Sequence, residues 1–170
     1  MSTLSVDTIQ GKTTAGTVDF PSGTIVQQVN ATDNGTANRS IQSTTSTSFA
    51  HMSNFDLTIT PKFSSSKVLY MGNFNLFGSN TTYTYLAIYR HISGGSATYL
   101  PTNTNGHCGI SQQVYMQVPV FFIDSPNTTS AVTYKVYIRS HDSGDTSYIG
   151  WQVSNANDNM TNMIAMEIRA

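Results

Sequence analysis

From residue 24 onward, the 170-residue chain alternates between short apolar runs and clusters of Ser, Asn, Asp, Pro and Gly. This alternation is typical of β-strands joined by turns. No window of eleven or more residues has the apolar spacing of an amphipathic helix, so little helix is expected. The pattern predicts eight strands, over residues 24–29, 55–60, 67–77, 83–91, 112–123, 131–139, 147–153 and 162–168.

Eight strands at these intervals predict an all-β domain made of two packed antiparallel sheets, and a jelly roll is the natural eight-strand arrangement. An immunoglobulin-type sandwich is the alternative. It is disfavoured by the length of the chain and because Cys108 is the single cysteine, which excludes a cysteine pair around a central Trp. Residues 30–48 contain few large apolar groups and are expected to form a long loop or a ragged edge strand.

The N-terminal 23 residues are too poor in apolar groups to form a core. Their apolar positions are widely spaced between Thr, Gly and Asp, and they are Leu4, Val6, Ile9, Val18 and Phe20. A strand-prone segment of this kind is expected to lie on its own domain or, as we favour, on another chain. The sequence therefore predicts an attachment arm over residues 1–23 and a jelly-roll domain over residues 24–170.

Two strands carry large apolar or aromatic groups on both faces, at residues 83–89 and 118–123. The outer face of a two-layer sandwich normally meets water, so such strands indicate a neighbouring subunit and hence an oligomer. The alternative is that some of these aromatic side chains are simply half-exposed. The residues expected at the subunit interface are Tyr83, Tyr85, Tyr89, Val120 and Phe122.

Charge is scarce, with eight Lys and Arg against nine Asp and Glu. This balance gives no electrostatic footprint for nucleic acid or an acidic membrane. Solubility must come from Ser, Thr and Asn, which make up 59 of the 170 residues. The single cysteine excludes an intramolecular disulfide and a multi-thiolate zinc site. No export signal or membrane-spanning segment is visible, which indicates synthesis in a cytoplasm.

The sequence offers no catalytic motif, and we expect a non-enzymatic protein without cofactor or metal. None of the four histidines accompanies a Gly-Xaa-Ser-Xaa-Gly element, and the neighbours His107 and Cys108 would point to opposite faces of a strand. Oxygen ligands at residues 141–145 and 157–159 could suit calcium. A plain turn is the favoured interpretation of both segments.

Tyrosines in a setting of Ser, Asn and Gln have another use, because rigid amphipathic rings contact sugars or proteins at low entropic cost. Tyr99 and the loop that follows it are the best candidate, with Tyr99, Asn103 and Asn105 as the expected ligand residues. For any one tyrosine, an ordinary position at a subunit contact is the favoured alternative. The others considered are Tyr83, Tyr85, Tyr115 and Tyr148.

The opening Met1-Ser2-Thr3-Leu4-Ser5-Val6-Asp7-Thr8-Ile9-Gln10-Gly11-Lys12 resembles the start of virion structural proteins of tailed bacteriophages, especially marine phages and cyanophages. Three further stretches are similar to the same group: Leu57-Thr58-Ile59-Thr60-Pro61, Ser66-Lys67-Val68-Leu69 and Ile164-Ala165-Met166-Glu167-Ile168. These motifs are structural, so they are more specific for a virion protein than for a particular one.

The resemblance implies a homotrimer with a jelly-roll domain of tumour-necrosis-factor or C1q type, displayed on the virion exterior and attached through the N-terminal arm. Two roles follow from it: a short tail fibre or receptor-binding component, or a capsid decoration (cement) protein. The implied partners are further copies of the chain, other capsid or tail proteins and a host surface glycan. The rival class is a carbohydrate-binding module or a polysaccharide-degrading spike domain.

Overall fold

We analysed a computed structural model, which describes residues 21–32, 41–111, 113–150 and 161–170. These residues form twelve strands and one short 3-10 turn, Ser53–Phe55. The strands are β1 (Ile25–Thr32), β2 (Gln42–Thr44), β3 (Ala50–His51), β4 (Leu57–Ile59), β5 (Lys67–Gly78), β6 (Thr84–Ile92), β7 (Ala97–Tyr99), β8 (Cys108–Ile110), β9 (Met116–Asp124), β10 (Val132–Ser140), β11 (Ser147–Ile149) and β12 (Asn162–Ile168).

The strands form two sheets, and every strand pair is antiparallel. The first sheet, which we call the β5 sheet, has the order β1-β12-β5-β9. Past the end of β12, the short strand β11 pairs with the last residues of β5, and β2 pairs with β11. The second sheet, the β10 sheet, has β10 and β6 at its centre. Strands β3 and β4 flank β10, and β7 and β8 flank β6.

Strand order confirms the jelly roll. Strands β3 and β4 pair with successive parts of β10, and β7 and β8 pair with successive parts of β6, so each pair is one interrupted strand. With each of these pairs counted as one strand and with β2 and β11 left out, eight strands remain. Numbered 1 to 8 along the chain, they are β1, β3 with β4, β5, β6, β7 with β8, β9, β10 and β12. Their order is 1-8-3-6 in one sheet and 2-7-4-5 in the other. This is the double Greek-key arrangement of a jelly roll, and it differs from the order in immunoglobulin sandwiches.

The predicted strands need one correction. The fifth strand of the jelly roll is β7 with β8, which the sequence pattern missed because each part has only three residues and a loop separates them. The run predicted at residues 147–153 begins with β11, an additional strand in the connection between β10 and β12. Residues 30–48, expected to form a long loop or a ragged edge strand, contribute the end of β1 and the short edge strand β2, which fits the second alternative.

The core lies between the two sheets and follows from strand alternation. In β10, buried and half-buried residues alternate without a break, as expected for a strand with one face on a core. Strands β5 and β12 alternate in the same way. The largest fully buried apolar and aromatic side chains are Phe55, Ile59, Tyr70, Phe74, Leu76, Leu86, Ile88, Tyr134, Ile138, Ile149 and Met163.

One carboxylate is buried at the end of the core where the C-terminal strand finishes. Glu167 in β12 is 0 % exposed. It accepts hydrogen bonds from the backbone N–H of Lys62 (2.8 Å) and Phe63 (3.1 Å) and from Nε2 of Gln27 (2.6 Å). Burial raises the pKa of this carboxyl, but these donors outweigh it and hold the pKa below its usual value. Glu167 thus ties the segment after β4 to β1 and β12.

The chain enters the sandwich at that same end. The N–H of Gly23 donates to the carbonyl of Arg169 (2.8 Å), and the N–H of Arg169 donates to the carbonyl of Thr24 (2.9 Å). The arm residues Leu4, Val6, Ile9, Val18 and Phe20 lie outside the described residues. The division into a 1–23 arm and a 24–170 domain therefore stays a prediction.

Within the described ranges, no helix has the length and apolar character needed to cross a bilayer.

Candidate functional site

The outer face of the β5 sheet carries a continuous apolar surface. Strand register places its members side by side in two rows across three strands. One row is Ile123, Leu69 and Met166, and the next is Phe121, Met71 and Ile164. We call these six residues the apolar patch.

The two members on β9 are the most exposed large apolar residues of the described chain: Phe121 is 74 % exposed and Ile123 61 %. The other four are half-buried. At one end of the patch the next residues on this face of β5, β9 and β12 are uncharged, namely Asn73, Pro119 and Asn162. At the other end the next residues on this face of β5 and β12 are Lys67 and Ile168. A shallow hollow of about 290 Å³ lies beside Met71, Phe121 and Ile164. An apolar centre with a polar border is the anatomy of a protein–protein interface.

Strand β9 is the edge of the β5 sheet, and Pro119 weakens that edge for strand addition. Pro119 stands opposite Asn73 in β5. Opposite residues in an antiparallel pair exchange either two hydrogen bonds or none, and proline has no N–H to donate, so Pro119 and Asn73 form a pair without mutual hydrogen bonds. The N–H that Pro119 lacks would therefore have pointed to the free edge of β9. An incoming strand would lose a hydrogen bond in the middle of β9. The apolar side-chain face of β9 is therefore better suited to a contact with a neighbour than its backbone edge is.

The residues predicted for the interface occupy different faces. Val120 is 4 % exposed and faces the core. Phe122 is half-buried and stacks on Tyr70, with ring centroids 5.1 Å apart. The strand is apolar on both faces, as the sequence indicated, but its outward-facing members are Phe121 and Ile123. The prediction named Val120 and Phe122, which face inward, in place of the neighbouring residues that face outward.

The predicted tyrosines of β6 lie on the outer face of the other sheet, where they cover one another. Tyr89 stacks on Tyr137 at 4.2 Å between ring centroids and meets Tyr99 at 5.1 Å. The guanidinium of Arg139 lies 4.3 Å from the ring centre of Tyr85. Burial raises the pKa of both Tyr89 and Tyr137. Tyr83 lies just before β6 and is exposed.

The candidate ligand residues Tyr99, Asn103 and Asn105 belong to one ordered loop, which interrupts the fifth strand between β7 and β8. The hydroxyl of Tyr99 donates to the carbonyl of Asn103 (2.5 Å). The side-chain oxygen of Asn103 accepts the N–H of Asn105 (2.8 Å), and Nη2 of Arg139 donates to the side-chain oxygen of Asn105 (2.9 Å). The three predicted residues are therefore brought together, and Asn103 also borders a cleft.

This cleft has a volume of about 350 Å³ and lies between the β7–β8 loop and the end of β9. Its polar lining includes His107 and Asp124, and its apolar walls are Leu100, Pro101, Phe122 and Ile123. Asp124 is 9 % exposed. One of its carboxylate oxygens accepts Nη1 of Arg90 (2.7 Å), and the other accepts the hydroxyl of Tyr134 (3.0 Å). The Asp124 charge is thus compensated inside the protein.

His107 is held neutral in the cleft. Its Nδ1 accepts the backbone N–H of Ile88 (3.1 Å), which places the proton of the neutral ring on Nε2. Its ring stacks on Phe122 at 5.1 Å between centroids. Burial lowers the pKa of His107 to about 4. At neutral pH this side chain is therefore an uncharged hydrogen-bond donor.

The lowered pKa of His107 predicts a specific acid sensitivity. The unfolded chain binds a proton at this histidine near pH 6.5, whereas the folded chain does so near pH 4. Stability from this group is therefore fully present above pH 6.5 and is lost as the pH falls toward 4. We expect His107→Asn, whose Oδ1 takes the place of Nδ1 and can still accept the Ile88 N–H, to flatten the dependence of unfolding free energy on pH in that window. Urea unfolding at several pH values measures this slope, and a wild-type slope in the variant would contradict the assignment.

The other chemical candidates do not assemble into a site. Burial raises the pKa of the Cys108 thiol to about 11, which disfavours the thiolate needed for nucleophilic attack. Asp142 pairs with His141 at 2.9 Å, while Asp145 accepts Nδ2 of Asn80 (2.8 Å) and the hydroxyl of Thr81. Among the described residues, no three His, Cys, Asp or Glu side chains lie together as metal ligands. Residues 157–159 lie outside the described chain.

Sequence reasoning missed the two features that define these surfaces. The exposure of Phe121 and Ile123 was signalled by the apolar character of both faces of β9, but the sequence did not show which face pointed outward. The presence of His107 and Asp124 in one cleft had no local signal, because they are 17 positions apart: His107 comes just before β8 in the β10 sheet, and Asp124 ends β9 in the β5 sheet.

Comparison with known proteins gives structural neighbours without sequence relatives. No protein-family model matches the sequence, and no curated protein matches it. Solved structures of similar fold include chains from infectious bursal disease virus. A chain of the Gx strain structure has a TM-score of 0.48 at 12 % identity, covering 85 % of this chain and 37 % of that one. A VP2 subviral particle gives 0.47 at 12 % identity, covering 85 % and 38 %.

A third structure, the T13 viral particle of the same virus, gives a TM-score of 0.45 at 12 % identity, covering 97 % of this chain and 40 % of that one. The chain therefore spans about two fifths of the length of these neighbours. The jelly-roll assignment rests on the strand order of the chain itself.

Proposed function

We propose that this protein is a non-enzymatic virion structural protein of a tailed bacteriophage, which forms a homotrimer through the outer face of its β5 sheet. The observation that carries the proposal is the exposure of Phe121 and Ile123 within an apolar patch. A single protein molecule gains nothing by leaving such a surface in water. The sequence motifs that resemble phage virion proteins support the particle role.

The composition of the patch supports another copy of the chain as its cover. A partner of opposite charge has little to recognise there, because the six patch residues are uncharged and Lys67 is the single charged residue next to them on this face of β5, β9 and β12. Surfaces that self-associate permanently are more apolar than the rest of the protein surface. The hollow beside Met71, Phe121 and Ile164 provides a place for an apolar side chain of a neighbour.

The position of the patch supports a cyclic arrangement. Its most exposed members lie on the edge strand β9, and its half-buried members lie toward the middle of the sheet on β5 and β12. An edge of one subunit that packs on the middle of the next gives a contact between two different surfaces, and such contacts form a ring when the rotation from one subunit to the next closes. A ring of three subunits then places the patch around its axis and leaves the β10 sheet facing outward.

The arm provides attachment to the particle. Residues 1–20 precede a chain that enters the sandwich at the edge of the β5 sheet, beside Arg169. In a tail fibre or receptor-binding component the arm holds the trimer to the tail, and in a decoration protein it holds the trimer to the capsid. The particle exterior is thus the proposed location, after synthesis in the host cytoplasm.

Removal of residues 1–20 tests the role of the arm. We expect the shortened chain to fold and to keep the oligomeric state of the full chain, because the core and the apolar patch lie within residues 21–170. It should nevertheless fail to join particles when supplied to a phage that lacks the full-length protein. Circular dichroism, sedimentation and particle-bound protein on a density gradient measure the three properties. Unfolding of the shortened chain would show that the arm belongs to the core.

The rival class, a carbohydrate-binding module or a polysaccharide-degrading spike domain, makes a different prediction. A degrading domain releases new reducing ends from host surface polysaccharide, whereas a structural protein releases none. A reducing-end assay on that polysaccharide therefore separates the two, and release would overturn the non-enzymatic assignment.

A further inference from the structure

We propose that the cleft between the β7–β8 loop and the end of β9 binds a small neutral polyhydroxylated molecule, of the size of one sugar ring, through His107, Asp124 and Asn103. This inference goes beyond the particle role, because the polar groups of the cleft do not belong to the apolar patch, and Ile123 is the one residue that borders both. It would hold equally for a protein with another assembly.

The shape of the cleft sets the size of its ligand. A volume of about 350 Å³ lies at the lower end of the range of small-molecule sites in proteins. The walls formed by Leu100, Pro101 and Phe122 are apolar, and the polar groups are few. This combination suits a ring that has an apolar C–H face and hydroxyl groups around its edge.

The polar groups of the cleft complement hydroxyls. His107 offers an N–H donor at Nε2, because its Nδ1 is occupied by the Ile88 amide. Asp124 offers carboxylate oxygens that have one protein donor each and retain further lone pairs. Asn103 uses its two oxygens within its own loop, so its amide nitrogen is the group it offers. Donors and acceptors are thus both present, as a hydroxyl requires.

The electrostatics of the cleft exclude charged ligands. The Asp124 carboxylate is already paired with the Arg90 guanidinium at 2.7 Å, so it has no net charge left for a cation. The His107 ring is neutral, so it offers no charge to an anion. A charged ligand would lose its hydration without gaining a partner of opposite charge, which is unfavourable.

The cleft is preformed in the described chain. The loop is anchored to β6 by the N–H of His107, which donates to the carbonyl of Leu86 (2.8 Å). Gly106 allows this close approach: its φ is +90°, and a Cβ there would lie 2.3 Å from the Leu86 carbonyl oxygen. A ligand therefore need not order this loop, and the entropic cost of binding is reduced.

Two tryptophan variants of the loop test the proposal. Thr102 and Thr104 are both exposed, but Thr102 lines the cleft and Thr104 does not. The variant Thr102→Trp fills the cleft, whereas Thr104→Trp places the same bulk on the same loop outside it. Because both changes are on the surface, both proteins should fold, and their amide NMR spectra verify this.

The probes are D-glucose, D-galactose, D-mannose, L-fucose and N-acetyl-D-glucosamine, with D-glucuronate and D-glucosamine as charged counterparts. Each is titrated into the full chain while amide chemical shifts are followed. We expect at least one neutral sugar to shift the amides of Asn103, His107 and Asp124, with a dissociation constant of about 1 mM, typical of so small a ligand. Thr102→Trp should weaken that binding by about tenfold or more, and Thr104→Trp should leave it within about twofold.

Three results would overturn the proposal. The first is that none of the neutral sugars shifts the cleft amides at concentrations up to tens of millimolar. The second is that a charged counterpart binds the cleft more tightly than the neutral sugars do. The third is that Thr102→Trp and Thr104→Trp reduce binding equally, which would place the ligand elsewhere.

Discussion

Replacing Phe121 and Ile123 together by lysine should convert the oligomer into folded monomers. Both side chains point away from the core, so their replacement costs little stability within one subunit. In the assembly each substitution removes about 2 kcal/mol of apolar burial from a contact. The variant also places lysines near one another around the axis. Together these losses should weaken association by about a thousandfold or more.

Sedimentation velocity at matched concentrations of wild type and variant measures this effect. The matched control is Ile41→Lys, which changes another exposed isoleucine, 44 % accessible, outside the apolar patch. The control should sediment as the wild type does. If Phe121→Lys with Ile123→Lys retains the wild-type mass, the subunits meet elsewhere and the proposed interface is wrong.

Replacing Glu167 by alanine should produce the largest loss of fold stability. The change removes the carboxylate that accepts hydrogen bonds from the backbone N–H groups of Lys62 and Phe63 and from the side chain of Gln27. These donors then lack this acceptor in a partly buried position. Loss of a buried charged hydrogen-bond partner costs about 3–5 kcal/mol. Glu167→Gln should lie between alanine and wild type, because the amide keeps one oxygen but directs its NH₂ group at donors. Urea unfolding measures the order of the three proteins.

The same carboxylate predicts a dependence on acid. Its folded pKa lies below the usual value of 4.5, so its contribution is fully present above pH 4.5 and is lost as the pH falls through the folded pKa. Glu167→Gln should therefore lose less stability than the wild type on acidification below pH 4.5. Asp142→Asn, a change near the surface, is the control and should keep the wild-type free energy of unfolding within about 0.5 kcal/mol. Equal unfolding midpoints for Glu167→Ala and the wild type would show that the hydrogen bonds to this carboxylate contribute no net stability.

Much of the fold was predictable because strand alternation and turn chemistry are local. The last strand was predicted at residues 162–168, the bounds of β12, and the run at 67–77 differs from β5 by one residue. The fifth strand was not predictable, since β7 and β8 have three residues each and form only because β6 offers an edge. Pairing with a neighbour supplied what their own sequence did not.

The surfaces were less predictable than the fold for a related reason. The apolar patch depends on which of two alternating sets faces outward, and that choice is made by the packing of β9 on β5. Val120 and Phe122 are as apolar as Phe121 and Ile123, so their composition could not decide it. The cleft depends on His107 and Asp124, which only the folded chain brings together.

Different parts of the domain have different proposed roles. The outer face of the β5 sheet is the surface proposed for self-association, and the chain enters the β1 edge of that same sheet. The loop between β7 and β8 belongs to the other sheet and borders the cleft. The proposed roles in attachment, assembly and ligand binding thus fall on different residues, with the exception of Ile123, which belongs to the apolar patch and also lines the cleft.

The measurement that tests the central claim most directly is the mass of the unmodified protein in dilute solution, by sedimentation velocity over a series of micromolar concentrations. Association through the apolar patch predicts one species of three times the 18.5 kDa chain mass. A single species of 18.5 kDa that does not associate at any concentration in the series would contradict the account.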